Sequence, residues 1–404
     1  MKLANKRIVL GVTGGIAAYK AAELVRLLVK AGASTSVGMT VNATRFVTPL
    51  TFEALSGNRV VWDMWKPDSA PMDHINWGQD ADLILIAPAT ANFISKMANG
   101  IGDDFLSTMI LAATAKILIC PSMNTQMFLN PAVRKNLSEL KERGYFLMEP
   151  SEGELACRAE GPGRLPEPVD ILEQAKILLS DQDLSGLRIL VTAGPTVEPI
   201  DPVRYITNRS SGKMGYALAG AARRRGADVI LVSGPTGLKP PIDVTLRQVK
   251  TTEEMKRAVL DGSEQYDVII KAAAVSDYRP REKAVQKIKK QKEIQSIELV
   301  RNPDILSELG NKRGNSRCIL VGFSAETEDL LANATEKLRK KNLDMIVAND
   351  VSREDAGFES ETNLVKVIYR DGQMEEFPLM AKEEVADQLL GRIKELWESR
   401  SSSR

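Results

Sequence analysis

Residues 6–40, KRIVLGVTGGIAAYKAAELVRLLVKAGASTSVGMT, run from an apolar stretch through a glycine turn into an amphipathic segment and then a second apolar stretch. That order reads as strand, turn, helix, strand, and it forces a parallel strand pair with a helix laid across it. Ala17, Ala21, Leu24, Val25 and Leu28 recur at helical spacing and supply one face for burial against the sheet. The layout recurs as LRILVTAGPT (187–196) and, after an insert, SSGKMGYALAGAARRRGADVILVSGPT (210–236). Each half of the chain therefore begins a parallel sheet of its own.

DLILIAPAT and AKILICPSMN extend the first sheet, and YDVIIKAAAVSDY, RCILVGFSAET and LDMIVANDV the second. Each is a short apolar run leading into a loop, as strands buried on both faces require. In NLVKVIYRDGQMEEFPL, Asp371-Gly372 marks a hairpin turn. The expected class is α/β, with two doubly wound, mainly parallel-sheet domains and a β-hairpin at the end of the second. Between the halves lie the Gly/Pro-rich EGELACRAEGPGRLPEP, a helix from about Val169 to Leu179, and the polar SDQDLSG. The boundary expected there gives domains of 1–182 and 186–404, a division that suits 404 residues.

A net charge of +1 argues against nucleic acid as a partner, so an anionic ligand must be met by local groups. No run approaches the ~20 apolar residues of a membrane span. The N-terminal apolar run is short and ends in glycines, where a signal peptide would carry a cleavage site. Cys120, Cys157 and Cys318 are odd in number and widely spaced, which fits reduced thiols in a cytoplasmic protein and no zinc site.

Ligands of open α/β sheets sit at the carboxyl ends of the strands. GVTGG brings backbone N–H groups and a helix start together, which suits a phosphate. Gly11, Gly14 and Gly15 do not make the dinucleotide fingerprint, and the second strand ends at Thr40 where a ribose site would need an acid. A mononucleotide such as FMN is favoured over NAD. In the second half, TNRSSGKMG offers another phosphate site without a Walker A pattern. AVQKIKKQK carries Lys287, Lys289 and Lys290; by itself such a run is a solvated face. His74, in SAPMDHINWG, is the single histidine, and a lone histidine is by itself more often structural than catalytic.

PATANFISKMANGIGDD (88–104) and PSMNTQMF (121–128), with DHI upstream and LACRAEGPGRLPEP downstream, resemble the flavin-dependent cysteine decarboxylases, and in order and spacing phosphopantothenoylcysteine decarboxylase. TAGPTVEPIDPVRYITNRSSGKMG, AAAVSDY, KIKK and GFSAET resemble phosphopantothenate-cysteine ligase. Together they are similar, over nearly the whole chain, to the bacterial bifunctional coenzyme A biosynthesis family. Phe128 stands where that family usually has Trp, and Arg158 where it usually has Gly.

The resemblance implies FMN at Gly14, Gly15, Thr40, Thr90, Ala91 and Asn92. It implies His74 assisting proton removal as the substrate thiol is oxidised, Asn124 offering amide donors to the substrate carboxylate, and Cys157, on a lid, as proton donor. For the ligase it implies CTP at Ala273, Asp277, Lys287, Pro303, Asp304, Ile305, Phe323, Lys337 and Lys341. Mg²⁺ would sit near Asp277, Asn208 would hold an acyl-cytidylate, and Lys287 would stabilise the reaction intermediate. Phe323 borders the base or is plain core; Lys337 and Lys341, four apart on one helix face, reach the nucleotide or lie in solvent. The implied substrates are 4'-phosphopantothenate, cysteine and CTP, and the implied assembly is a homo-oligomer with a trimer-based decarboxylase and a dimeric ligase. A nicotinamide-dependent dehydrogenase is disfavoured by both glycine patterns. A non-catalytic flavoprotein regulatory subunit is disfavoured by His74, Asn124 and Cys157 occurring together.

Overall fold

The structure, a computed structural model, describes residues 3–65, 71–154, 160–289, 296–314, 316–326, 329–350 and 360–402. Two compact units divide the chain between Ser180 and Asp181.

The N-terminal unit has β1 (Arg7–Val12), β2 (Ser34–Met39), β3 (Val60–Val61), β4 (Leu83–Ala89), β5 (Lys116–Pro121) and β6 (Phe146–Leu147) in one sheet, ordered β3-β2-β1-β4-β5-β6 and parallel throughout. Its helices are α1 (Ala18–Lys30), α2 (Pro49–Ser56), α3 (Asp73–Asp80), α4 (Ala91–Asn99), α5 (Phe105–Ala112), α6 (Thr125–Leu129), α7 (Pro131–Glu142) and α8 (Pro168–Leu179). Alternate side chains serve opposite faces: Ile8, Leu10, Val12, Leu83 and Leu85 meet α1, α2 and α8, whereas Val9, Ile84 and Ile86 meet α4, α5 and α7. Helices on both faces explain why these strands read as unbroken apolar runs. α1 buries Ala18, Ala21, Leu24, Val25 and Leu28, with Ala17 displaced to the N-cap. Each side chain of leucine size so covered stabilises the unit by roughly 1.5–3 kcal/mol. A hairpin of β7 (Ser151–Glu154) and β8 (Glu160–Arg164) follows the sheet.

The C-terminal unit contains β9 (Arg188–Ala193), β10 (Val197–Pro199), β11 (Tyr205–Thr207), β12 (Asp228–Ser233), β13 (Thr245–Gln248), β14 (Val268–Lys271), β15 (Tyr278–Pro280), β16 (Leu299–Arg301), β17 (Ile319–Glu326), β18 (Met345–Asp350), β19 (Thr362–Tyr369) and β20 (Met374–Ala381). Eight of them form a sheet ordered β13-β12-β9-β14-β17-β18-β19-β20, parallel as far as β18 and antiparallel beyond. α9 (Lys213–Arg224) and α13 (Lys382–Ser402) cover one face; α10 (Thr252–Leu260), α11 (Ile305–Lys312) and α12 (Leu330–Lys340) cover the other. β19 and β20 turn at Asp371-Gly372, where Gly372 has φ +91° and Gln373 N–H donates to Asp371 Oδ1 at 2.9 Å. The insert after β9 folds as the antiparallel ribbon β10–β11, and β15 pairs with β16 in a second ribbon. Among the described residues no helix is long and apolar enough to cross a membrane.

Candidate functional sites

In the N-terminal unit, strand order reverses between β1 and β4, and the loops leaving their carboxyl ends are tied together there. Thr13 Oγ1 donates to Pro88 O at 2.7 Å and accepts from Thr90 N–H at 3.0 Å. A Cβ on Gly14 would fall 2.4 Å from Asn42 Cβ, so only glycine lets the β1 loop lie against the loop after β2. Thr40 Oγ1 accepts from Ala43 N–H at 3.3 Å, and Thr90 caps α4 by accepting from Phe93 N–H at 3.4 Å. The Thr40 and Thr90 hydroxyls keep their own hydrogens to donate, whereas that of Thr13 is spent on Pro88 O. Ala91 and Asn92 open α4, whose first N–H groups have no partner within the helix. Backbone and hydroxyl donors with no carboxylate at the end of β2 suit the phosphate and polyol of a flavin mononucleotide.

His74 lies half-buried in the first turn of α3, a helix held against α5 by an edge-on Trp77–Phe105 contact with ring centroids 5.3 Å apart. Asn124 is the N-cap of α6, and its Oδ1 accepts from Gln126 N–H at 2.8 Å, which fixes the amide oxygen toward the backbone. The β7–β8 hairpin rests on this loop, with Met123 N–H donating to Gly163 O at 2.9 Å. Gly163 has φ +148°, and a Cβ there would sit 2.2 Å from Met123 O. Phe128, 4% exposed, is a packing residue beneath Arg134, whose guanidinium lies 5.1 Å from the ring centroid. Cys157 and Arg158 lie outside the described residues. Cys120 and Cys318 are buried free thiols; burial pushes Cys120 up and Cys318 to about 12, as befits small core side chains. Asp103 and Asp104, which close the first signature, serve their own chain: both bind Lys96, and Asp104 caps α5.

The C-terminal unit holds a cavity of about 480 Å³ at the carboxyl edge of its sheet. Asn208, Ala273, Asp277, Pro303, Asp304, Ile305, Phe323, Lys337 and Lys341 all line it. Asn208 Nδ2 donates to Val275 O at 3.1 Å, and Lys337 Nζ to Ser324 Oγ at 3.1 Å. Asp304 caps α11 and pairs with Lys341 at 3.0 Å. Burial alone would raise its carboxyl, but Ser307 N–H and the Lys341 ammonium hold it below the usual carboxylate range.

Lys287 does not line this cavity. It is an exposed loop residue beside Ile288, whose N–H donates to Asp201 Oδ2 at 3.2 Å and whose carbonyl accepts from Arg204 Nη2 at 2.8 Å. Burial would raise the Asp201 carboxyl, but Arg204 and the backbone N–H groups hold it far below its ordinary value. Lys289 is exposed on the same loop, and Lys290 falls outside the described residues. Glu198, 3% exposed, accepts from Thr252 N–H and Oγ1. The VEPIDP part of the motif thus anchors α10 and the lysine loop.

Sequence reasoning missed Lys271, Asn363 and Lys382, which line the cavity together with Lys213 of the TNRSSGKMG motif. Lys271 ends β14 and has no hydrogen-bond or ion-pair partner among the described residues. Burial lowers its ammonium to about 8, helped by Lys341 and opposed by Asp304 and Asp277. The overlooked signal was a cation at the end of the otherwise apolar VIIK.

Residues 1–179 match the family model described as Flavoprotein, and residues 184–396 that of the DNA/pantothenate metabolism flavoprotein C-terminal domain. The chain is 48% identical over 396 residues to the coenzyme A biosynthesis bifunctional protein CoaBC of Bacillus subtilis, covering 97% of each chain. It is 45% identical over 398 residues to the Escherichia coli K12 protein of that description, covering 97% of this chain and 98% of that one. Among solved structures, the C-terminal domain of a CoaBC protein is 46% identical, covers 54% of this chain and 100% of its own, and superposes with a TM-score of 0.47. A cysteine-to-serine mutant of PPC decarboxylase complexed with pantothenoylaminoethenethiol is 29% identical over 43% of this chain and 97% of its own, with a TM-score of 0.39.

Proposed function

Because the chain belongs to the family of bifunctional coenzyme A biosynthesis proteins, we propose that its two edge sites divide one two-step synthesis between them. The C-terminal unit joins cysteine to 4'-phosphopantothenate. The N-terminal unit, a flavoprotein, decarboxylates the phosphopantothenoylcysteine to 4'-phosphopantetheine. The observation that carries the ligase assignment is the convergence of Asn208, Asp277, Asp304, Lys337 and Lys341 on one cavity large enough for a nucleotide.

In the ligase, the phosphopantothenate carboxylate attacks the α-phosphate of CTP, releasing pyrophosphate and leaving an acyl-cytidylate; the amine of cysteine then displaces CMP. Asn208 holds the activated acyl group, and Lys337 and Lys341 face the nucleotide. Lys287 meets the charge that develops at the transferring phosphorus, where cations matter most. Asp277 would help hold a Mg²⁺, which would neutralise charge on the triphosphate. Among the described residues no group of three His, Cys, Asp or Glu gathers that could cage a metal without the triphosphate.

In the decarboxylase, Gly14, Gly15, Thr40, Thr90, Ala91 and Asn92 hold FMN, which when bound supplies reversible two-electron oxidation. His74 assists removal of the proton as the cysteinyl thiol becomes a thioaldehyde. Asn124 orients the carboxylate with neutral donors; a fixed cation would stabilise a charge that must disappear. After carbon dioxide leaves, Cys157 protonates the enethiolate and the two electrons return, so no net redox change remains. Exposed Ile16, Tyr19, Val41 and Leu50 lie next to the loops after β1 and β2 and offer a surface for subunit contact; we assign this unit to a trimer-based assembly. We assign the ligase unit to dimers and the protein to the cytoplasm.

The direct test incubates the pure protein with phosphopantothenate, cysteine, CTP and Mg²⁺ and reads the products by mass. The expected result is phosphopantetheine, with phosphopantothenoylcysteine as its precursor. Absence of both overturns the assignment. A second measurement tests Lys271. Burial lowers its ammonium to about 8, and only the charged form attracts phosphate. Lifting pH from 7 to 9 therefore lowers kcat/KM for CTP about tenfold or more through a step centred near 8. Lys271→Met removes that step and raises KM at neutral pH; an unchanged profile would exclude Lys271 from phosphate binding.

A further inference from the structure

The cavity proposed for the ligase is also lined by side chains from the antiparallel end of the sheet and from the first turns of α9 and α13. Asn363, near the start of β19, is 2% exposed, and its Oδ1 has no hydrogen-bond partner. Its Nδ2 lies 3.9 Å from Met214 Sδ. A buried acceptor left unmatched in this way costs the fold roughly 1–3 kcal/mol unless a ligand supplies the donor. Lys382, the first residue of α13, is 6% exposed and donates to Ser360 O at 2.5 Å. Lys213, the first residue of α9, reaches across to Glu361. Burial lowers the Lys382 ammonium, Lys213 adds to the effect, and Glu361 opposes it. Asn363, Lys213, Met214 and Lys382 line the same cavity as Asn208.

The geometry points to this part of the cavity as the seat of the ligase's amino-acid substrate: Asn363 Oδ1 accepts from the amine of an α-amino acid, and Lys213 and Lys382 face its carboxylate. The assignment rests on the ligase reading above and adds where its nucleophile sits. The donor set fits a nucleophile better than a mere cation. A carboxylate in place of Asn363 would stabilise the ammonium form, which cannot attack an acyl group. An amide oxygen holds the amine without that bias, and two nearby lysines disfavour its protonation. The Met214 thioether offers the thiol-bearing side chain a soft, polarisable neighbour.

The test measures the two halves of ligation separately in the full-length protein. Pyrophosphate release from CTP with phosphopantothenate, measured without cysteine, reports activation; amide formation against cysteine concentration reports the amine's seat. Asn363→Leu is expected to raise KM for cysteine about ten- to hundredfold while pyrophosphate release stays at the parent rate, which also shows the variant folded. Lys382→Met is expected to raise KM for cysteine but leave KM for cysteamine, which lacks the carboxylate, where it was. A parent KM for cysteine in Asn363→Leu overturns the seat. So does an equal loss with cysteine and cysteamine in Lys382→Met. Failure of the unsubstituted protein to release pyrophosphate would overturn the ligase reading itself, a separate result.

Discussion

Lys287→Gln binds CTP with the parent KM and forms the amide about 10²–10³-fold more slowly. The two halves of this expectation have different sources. Lys287 does not line the cavity proposed for the nucleotide, so the ground-state complex loses little when its charge is removed. Its backbone neighbour Ile288 is gripped at both N–H and C=O by the Asp201–Arg204 pair, which keeps the lysine loop beside the ribbon leading to Asn208. A cation supplied from a loop at that position acts on charge that develops during phosphoryl transfer, which appears in kcat and leaves KM alone. Lys271→Met carries the opposite signature, a raised KM, because Lys271 is built into the cavity floor. Steady-state kinetics of both variants, with CTP varied at saturating phosphopantothenate and cysteine, separates the roles. A parent kcat in Lys287→Gln would remove the residue from the reaction.

The contrast between Lys287 and Lys271 also shows what the sequence made legible. Local patterns carried well: the α1 stripe, the apolar strands buried on both faces and the Asp371-Gly372 hairpin all follow from spacing that a short window contains. The loops after β1, β4, β14 and β17 were legible as sites because strands in such sheets end at the ligand edge. Asn363 was not, since β19 runs antiparallel to β18, and Lys382 was not, since nothing local says that the hairpin brings the end of β20 back to that edge. It is the start of β19 and the end of β20 that reach the ligand edge, and only the pairing of β18 with β19 brings them there. Motif matching also blurs purpose within a motif. Glu198 and Asp201 belong to the same stretch as Asn208, yet they hold α10 and the lysine loop while Asn208 lines the cavity.

His74 and Cys157 are assigned to opposite ends of one reaction, and substitution at each is expected to stop it at a different point. His74→Asn leaves phosphopantothenoylcysteine intact and the flavin absorbance unbleached, because nothing then helps the thiol proton and its neighbours leave; a positioned acid–base group contributes about 10²–10⁴-fold. The placement of His74 in the first turn of α3, on a helix locked to α5 by Trp77 and Phe105, lets Asn take its place without disturbing the sheet. Cys157→Ser acts later. Oxidation and loss of carbon dioxide precede its proton donation, so carbon dioxide is released and the flavin absorbance stays bleached. A hydroxyl is a far weaker acid than a thiol of pKa about 8.5, so the enethiol is not protonated and accumulates. Anaerobic mixing of each variant with phosphopantothenoylcysteine, followed by absorbance and product mass, distinguishes the two. Normal bleaching in His74→Asn would remove His74 from the first step, and release of phosphopantetheine at the parent rate by Cys157→Ser would remove Cys157 from the last. Ligation, carried by the other unit, stays at the parent rate in both variants, so loss of both activities together would report unfolding and not chemistry.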